Sequence, residues 1–168
     1  FDDKVSKYIP EFQMNDAYVS QEVTIKDLIT HRAGLGLGQG DLMFFPEGGP
    51  LTVNDIIHNV RYLKPENPFR TTLDYNNIMF IVAGEVIHRV SGLSWAEFME
   101  QRILKPVGMT SSFGSYNRAK AANVSNIIDA HAPVDGKVVA VPHDWNETGN
   151  AAGGIMSNIK DMTTWAEF

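Results

Sequence analysis

A phenol and a carboxamide stand two residues apart at Tyr75-Asn76-Asn77, directly ahead of a long apolar run. Groups of this kind assist acyl transfer by a serine. That reaction needs a base for the hydroxyl proton, a donor for the leaving group and groups that hold the substrate amide. A tyrosine can move the proton only where nearby cations lower its pKa from about 10. A lysine partner is therefore part of the expectation. Asn77, with one acceptor and two donors, could orient a substrate carbonyl and that lysine together. Spacing alone favours a plainer arrangement, in which Tyr75 is half-buried with its hydroxyl satisfied and Asn77 caps the following helix.

Three amphipathic segments must carry this pair. Thr24 offers an N-cap for a short helix through Ile25, Leu28 and Ile29 up to His31, and Thr52 does the same for Val53, Ile56, Ile57 and Val60. From Asn77 to Val90 the apolar positions Ile78, Ile81, Val82, Val86, Ile87 and Val90 repeat at helical spacing, and Ser91-Gly92 stops them. Tyr75 and Asn77 then sit at a helix mouth. Ser94 caps a further helix carrying Trp95, Phe98, Met99, Ile103 and Leu104, which Pro106 closes. Residues 1–20 read as an irregular connection pinning Val5, Tyr8, Ile9 and Phe12 to the core, and a polar loop runs to about Asn123. Asp135-Gly136 between Ile127–Val134 and Lys137–Val141 predicts a hairpin. Ser157 opens a last helix with Ile159, Met162 and Trp165.

Composition narrows the classes. The 168 residues are 43% hydrophobic with net charge −6 and no cysteine. That suits one compact domain or a large piece of a bigger one, and excludes disulfides and thiolate metal sites. Nucleic acid is excluded as a partner for want of clustered Lys and Arg. No apolar run reaches the length of a transmembrane helix. Phe1 as first residue and an uncapped amphipathic end at Trp165–Phe168 are expected of a fragment, whose uncovered apolar face would favour self-association or pairing with missing segments.

Other candidate chemistry is weaker. Gly34, Gly36, Gly38 and Gly40 make a flexible loop but lack the Gly-Lys-Ser/Thr ending of a phosphate cradle. His31, His58, His88, His131 and His143 are scattered without ligand spacing, so no metal or other cofactor is expected, and His31 is expected to fix its loop by hydrogen bonding. Ser157-Asn158-Ile159-Lys160 fits Ser-x-x-Lys, yet a serine at a helix start reads first as a cap. Ser6-Lys7 has the wrong spacing. Asn123-Val124-Ser125 and Asn146-Glu147-Thr148 fit the glycosylation triplet, which is common by chance.

Ordered short matches extend over nearly the whole chain. They run from Phe1-Asp2-Asp3-Lys4-Val5 through Ile25-Lys26-Asp27-Leu28-Ile29-Thr30-His31-Arg32-Ala33-Gly34-Leu35 to Phe69-Arg70-Thr71-Thr72-Leu73-Asp74-Tyr75-Asn76-Asn77. They continue through Val82-Ala83-Gly84-Glu85, Pro106-Val107-Gly108-Met109 and Ala152-Gly153-Gly154-Ile155-Met156-Ser157 to Asp161-Met162-Thr163-Thr164-Trp165. Together they resemble serine hydrolases of the class C β-lactamase type, a family that includes penicillin-binding-protein-like peptidases and esterases.

The resemblance implies a mostly α chain with a small β-hairpin, the helical subdomain of the α/β serine β-lactamase/DD-peptidase-like fold, with residues 1–168 a single partial domain. It implies a β-lactam, peptide or ester carbonyl substrate, an acyl-enzyme, and a secreted or periplasmic location. Tyr75 would shuttle protons and Asn77 would hold the substrate amide. The glycine loop would border the substrate cleft, making Gln39 and Asp41 substrate contacts, with Asn150, Ala151 and Ala152 as another wall. The family's Ser-x-x-Lys and its third motif fall outside the quoted matches, so the 168 residues alone are expected to hydrolyse nothing. A non-catalytic homologue serving as a binding or structural module is the alternative.

Overall fold

One helix organises the molecule. The computed structural model describes residues 1–45, 49–143 and 147–168. In it α4 (Asn77–Ser91) buries Ile78, Met79, Ile81, Val82 and Val86. Around it pack α2 (Ile25–Ile29), α3 (Val53–Asn59), α5 (Trp95–Met99) and α8 (Asn150–Gly153). Val5, Ile9, Phe12, Val23, Leu28, Leu35, Phe44, Ile56, Ile57 and Val60 complete the same core. Cutting one such buried aliphatic chain to alanine costs about 2–5 kcal/mol. Val90, expected on this face, is exposed at the end of the helix.

The helix starts follow local chemistry. Thr24 with Asp27, Thr52 with Asp55 and Ser94 with Glu97 each form a reciprocal capping box, in which the hydroxyl accepts from the third backbone N–H and the carboxylate accepts from the cap's own N–H. α5 runs through a wider π turn at Glu100–Leu104 into a last turn, α6 (Lys105–Val107), ending at Gly108 with φ +91°. Pro106 thus lies inside the final turn rather than closing the segment. The π turn gives way just before the ring that an α-helical ladder would exclude.

Two segments read as irregular contain helices. α1 (Ala17–Glu22) is capped by Asp16, and α7 (Tyr116–Ala121) by Ser115. Both are six residues long and bury at most one side chain, so neither shows an apolar stripe. The hairpin pairs β1 (Ala130–Val134) with β2 (Lys137–Val141), register Val134↔Lys137, shorter at its start than the sequence suggested. Its loop residues Asp135 and Gly136 both have positive φ, +48° and +73°, which matches strand twist in a two-residue loop. The last helix, α9 (Ile159–Glu167), turns Ile159, Met162 and Trp165 outward. Among the described residues no single helix is long and apolar enough to cross a membrane.

α4 and α8 meet closely. A Cβ on Gly84 would lie 2.5 Å from the Ala151 Cβ. Helix propensity alone would make Gly84→Ala stabilising by about 0.5–1 kcal/mol. The contact reverses that sign, and urea unfolding should show a loss of about 1–3 kcal/mol. A neutral or stabilised variant would contradict the close approach.

Candidate active site

Tyr75 is held from both sides by one residue. His31, at the end of α2, adopts φ +55°. Its carbonyl accepts the Asp74 N–H at 2.8 Å, and its Nδ1 accepts the Asn76 N–H at 3.1 Å. The imidazole also lies against the Tyr75 ring, centroids 4.6 Å apart, and against Phe80 at 4.9 Å. A residue that bonds both backbone neighbours of Tyr75, one through its carbonyl and one through its ring, and lays that ring against the phenol fixes where the phenol points. His31 does fix a loop by hydrogen bonding, and the loop is 67–76.

A second clamp fastens that loop to α2. The Arg70 guanidinium donates to both oxygens of Asp27, at 2.9 and 2.7 Å, and to the Glu22 carbonyl at 3.1 Å. Burial pushes the Asp27 carboxyl up, but the Arg70 and Thr24 hydrogen bonds outweigh it and leave the group below its ordinary value. The Arg70 N–H donates to the Arg32 carbonyl at 3.0 Å, and the Arg32 side chain donates back to the Arg70 carbonyl. Asp74 is braced in turn by Asn67 and Thr72 at 2.8 and 2.7 Å.

The middle residue of the motif is the buried one. Asn76 has no exposed surface, and its Nδ2 donates to the carbonyls of Gly36 and Gln39, both at 2.9 Å. Its Oδ1 accepts from the Met79 N–H, so Asn76, not Asn77, is the N-cap of α4. This corrects the plainer arrangement expected for Asn77. Gly40 makes room for the docking, since at φ +90° a Cβ there would lie 2.8 Å from Ile78.

Tyr75 and Asn77 consequently face outward on either side of the anchor. Tyr75 is 47% exposed and its hydroxyl bonds to no described residue, so it lacks the satisfied hydroxyl of the plainer arrangement. Asn77 Nδ2 donates to Asp41 Oδ2 at 3.0 Å, leaving its carbonyl oxygen without a partner among the described residues. Asp41 opens a 3₁₀ turn, Asp41–Met43, directly after Gly40. Tyr75, Asn77, His31 and Asp41 are thereby gathered at one helix mouth.

Other expected site residues lie elsewhere or carry structural bonds. The Gln39 carboxamide accepts from Gly36 N–H at 3.0 Å and donates to the Lys64 carbonyl at 2.6 Å, closing the glycine loop on itself. Asn150 is buried and donates to Glu147 at 2.8 Å, while Ala151 packs on Gly84 and Ala152 on the core. This wall meets α4 beyond its first turn. A cavity of about 470 Å³ there is lined by Ile81, Gly84, Trp95, Arg118 and Ala151, and does not reach Tyr75 or Asn77. Ser157 does not cap α9; Asn158 does, accepting from the Asp161 N–H at 3.0 Å. The Ser157 hydroxyl is 2.8 Å from that of Ser112, which donates to buried Asp161 at 2.7 Å. Asn146 of the second glycosylation triplet lies outside the described residues. Among the described residues no three His, Asp or Glu groups cluster to hold a metal ion.

The model of the family described as Beta-lactamase matches residues 1–167. The chain belongs to the beta-lactamase family. An unguisins hydrolase, ungD′, of Aspergillus campestris is 29% identical over 164 residues, covering 93% of this chain and 29% of that protein. Protein flp of Staphylococcus aureus is 25% identical over 174 residues, covering 99% of this chain and 32% of that protein. The chain thus spans about three-tenths of the length of these curated relatives. Among solved structures, the octameric penicillin-binding protein homologue from Pyrococcus abyssi superposes with TM-score 0.75 at 24% identity, over 99% of this chain and 38% of that one. A class C beta-lactamase gives TM-score 0.71 at 23% identity, over 99% and 42%. These likenesses establish a mostly helical part of the β-lactamase/penicillin-binding-protein fold.

The contact most open to test by pH is the one at His31. Burial pushes its pKa below the ordinary 6.5, and an Nδ1 that accepts from Asn76 N–H must be unprotonated. The unfolded chain then binds the proton more readily than the folded one. Stability from this residue is complete above about pH 6.5 and falls as pH drops toward the lower folded value. His31→Gln should flatten the slope of unfolding free energy against pH between 6.5 and 5; a slope unchanged by the substitution would refute the assignment.

Proposed function

We propose that residues 1–168 form the mainly helical part of a single serine hydrolase domain, in which a serine supplied from outside these residues attacks a β-lactam, peptide or ester carbonyl. The observation that carries this reading is the pair of outward groups at the mouth of α4: an exposed phenol whose hydroxyl and a carboxamide whose oxygen bond to no described residue, on backbone fixed by His31 and Asn76. In this role Tyr75 takes the proton from the nucleophile and returns it to the leaving group. Asn77 presents its carbonyl oxygen to a substrate N–H or to a lysine ammonium. Groups held on rigid backbone lose little entropy on engaging substrate, which is where such a site gains its rate. Family membership and the hydrolase names among the relatives support the reaction class.

No serine or lysine among the described residues bonds to Tyr75 or Asn77, and Ser157 is tied to Ser112. That observation favours the 168 residues being inactive by themselves, and it also admits a second reading, a non-catalytic module that keeps the fold for binding. Nitrocefin and p-nitrophenyl acetate distinguish the readings. The isolated chain should turn over neither. A protein of the relatives' length should turn over at least one, and Tyr75→Phe in it should lower kcat/KM by roughly 10²–10⁴-fold. Turnover by the isolated chain, lost in Tyr75→Phe, would refute its inactivity, as would a fluorophosphonate adduct mapped to Ser157. A full-length protein inert to substrates and probe alike would favour the binding module.

A further inference from the structure

A cavity of about 440 Å³, lined by neither Tyr75 nor Asn77, collects three cations from two separate segments: Lys26 on α2, Arg32 just after it, and Arg70 on the loop 67–76. Lys26 and Arg32 are exposed and Arg70 partly so, so the cavity is open to solvent. Hydrogen bonding divides its walls into engaged and free groups. Both oxygens of Asp27 are taken, by Arg70 Nε and Nη2 and by the Thr24 N–H and hydroxyl. The Thr30 hydroxyl donates to the Lys26 carbonyl at 2.7 Å. The first N–H groups of α2 are engaged as well, Ile25 with the Asp3 carbonyl and Lys26 with the Phe1 carbonyl. What remains is cationic. Lys26 Nζ bonds to no described residue, Arg32 uses only Nη2, on the Arg70 carbonyl, and Arg70 leaves Nη1 over. The backbone at Arg70 is a separate observation. Its φ of +65° lies in the left-handed region that glycine adopts freely and an arginine does not, and such strain gathers where one particular side chain is needed.

We propose that this cavity binds a phosphate group, held by Lys26 Nζ, the Arg32 guanidinium and Arg70 Nη1. The free groups in the lining are donors, and the one free acceptor is the carboxylate of Asp2, which has no described partner. An oxyanion fits such a lining and an amine does not. Guanidinium forks pair with oxyanion edges while a lysine adds a point charge, so the set suits a ligand with several charged oxygens. Asp27 already neutralises Arg70, which leaves Lys26 and Arg32 as two charges for the ligand to meet. A dianion answers both, whereas a carboxylate answers one. Asp2 opposes either and sets the sign of a further test. The phosphate has two sources with the same chemistry, the free ion or an ester on an organic molecule. Binding here does not depend on the hydrolase reading.

The test is a titration of the 168-residue protein with sodium phosphate at about pH 8, where the ion is mostly dianionic, with ionic strength held constant by sodium chloride. Backbone amide and arginine Nε signals are followed by NMR. Saturable shifts at Thr30, Arg32 and Arg70 are expected, with sodium acetate binding more weakly under the same conditions. Lys26→Gln carries the decision, because the Lys26 ammonium bonds to no described residue and its loss leaves the fold contacts in place; an unchanged urea midpoint checks this. It should weaken phosphate binding by about tenfold or more, and Lys26→Glu should abolish it. Asp2→Asn should tighten it. Phenyl phosphate separates the two sources: tighter binding than inorganic phosphate assigns the site to an ester, and equal binding assigns it to the free ion. Absence of a saturable shift at constant ionic strength overturns the proposal. So does an affinity that Lys26→Gln and Lys26→Glu leave unchanged, or one that Asp2→Asn weakens.

Discussion

The Asn76 carboxamide is the interaction on which the site depends. Buried at the mouth of α4, it gives both N–H groups to the glycine loop and its oxygen to the first turn of the helix. One side chain therefore joins the loop after α2 to the loop 67–76 and the start of the central helix, which lie about forty residues later in sequence. Removing it would leave the part-buried Gln39 carbonyl and a helix N–H without partners, each costing about 1–3 kcal/mol, and would take from the Gly36 carbonyl one of the two N–H groups it accepts. Because α4 also carries the core, the anchor fixes Tyr75 and Asn77 to the helix that most of the core packs against.

Placement at a helix mouth follows from alternation around that anchor. Asn76 points inward, so its neighbours Tyr75 and Asn77 must point outward. His31 then selects one orientation of the phenol by gripping the backbone before and after it and lying against its ring. The strained backbone at His31 and Arg70, both with positive φ, is tolerated because each carries several hydrogen bonds that over-determine it. Local strain of this kind at a fixed, exposed pair is what a preorganised site requires.

Much of this was legible in the sequence and some was not. Thr24, Thr52 and Ser94 announced their helices because a capping box is a local device with a fixed spacing. The α4 pattern and the Asp135-Gly136 turn were equally local, and the ordered motif matches gave the fold family. The roles of Asn76 and His31 were not readable to the same degree. Two adjacent asparagines can both cap, and only the position of the Gly36 and Gln39 carbonyls decides between them. Ser157 failed as a cap for a similar reason: Asn158 competes for the helix start, while Ser112 on a distant loop holds the serine hydroxyl. α1 and α7 leave no mark in the sequence because short helices that bury little have no periodicity to read.

Asn76 and His31 hold the Tyr75 backbone as firmly as the helix behind it. Native-state amide hydrogen exchange at Asp74, Asn76 and Met79 tests this most directly, in the wild type and in Asn76→Ala. Protection at Asp74 and Asn76 should be comparable to that of Ile81–Val86 in the wild type. In the variant that protection should drop to the level of a surface loop while Ile81–Val86 remain slow. Rapid exchange at Asp74 and Asn76 in the wild type, or protection there that Asn76→Ala leaves intact, would contradict it.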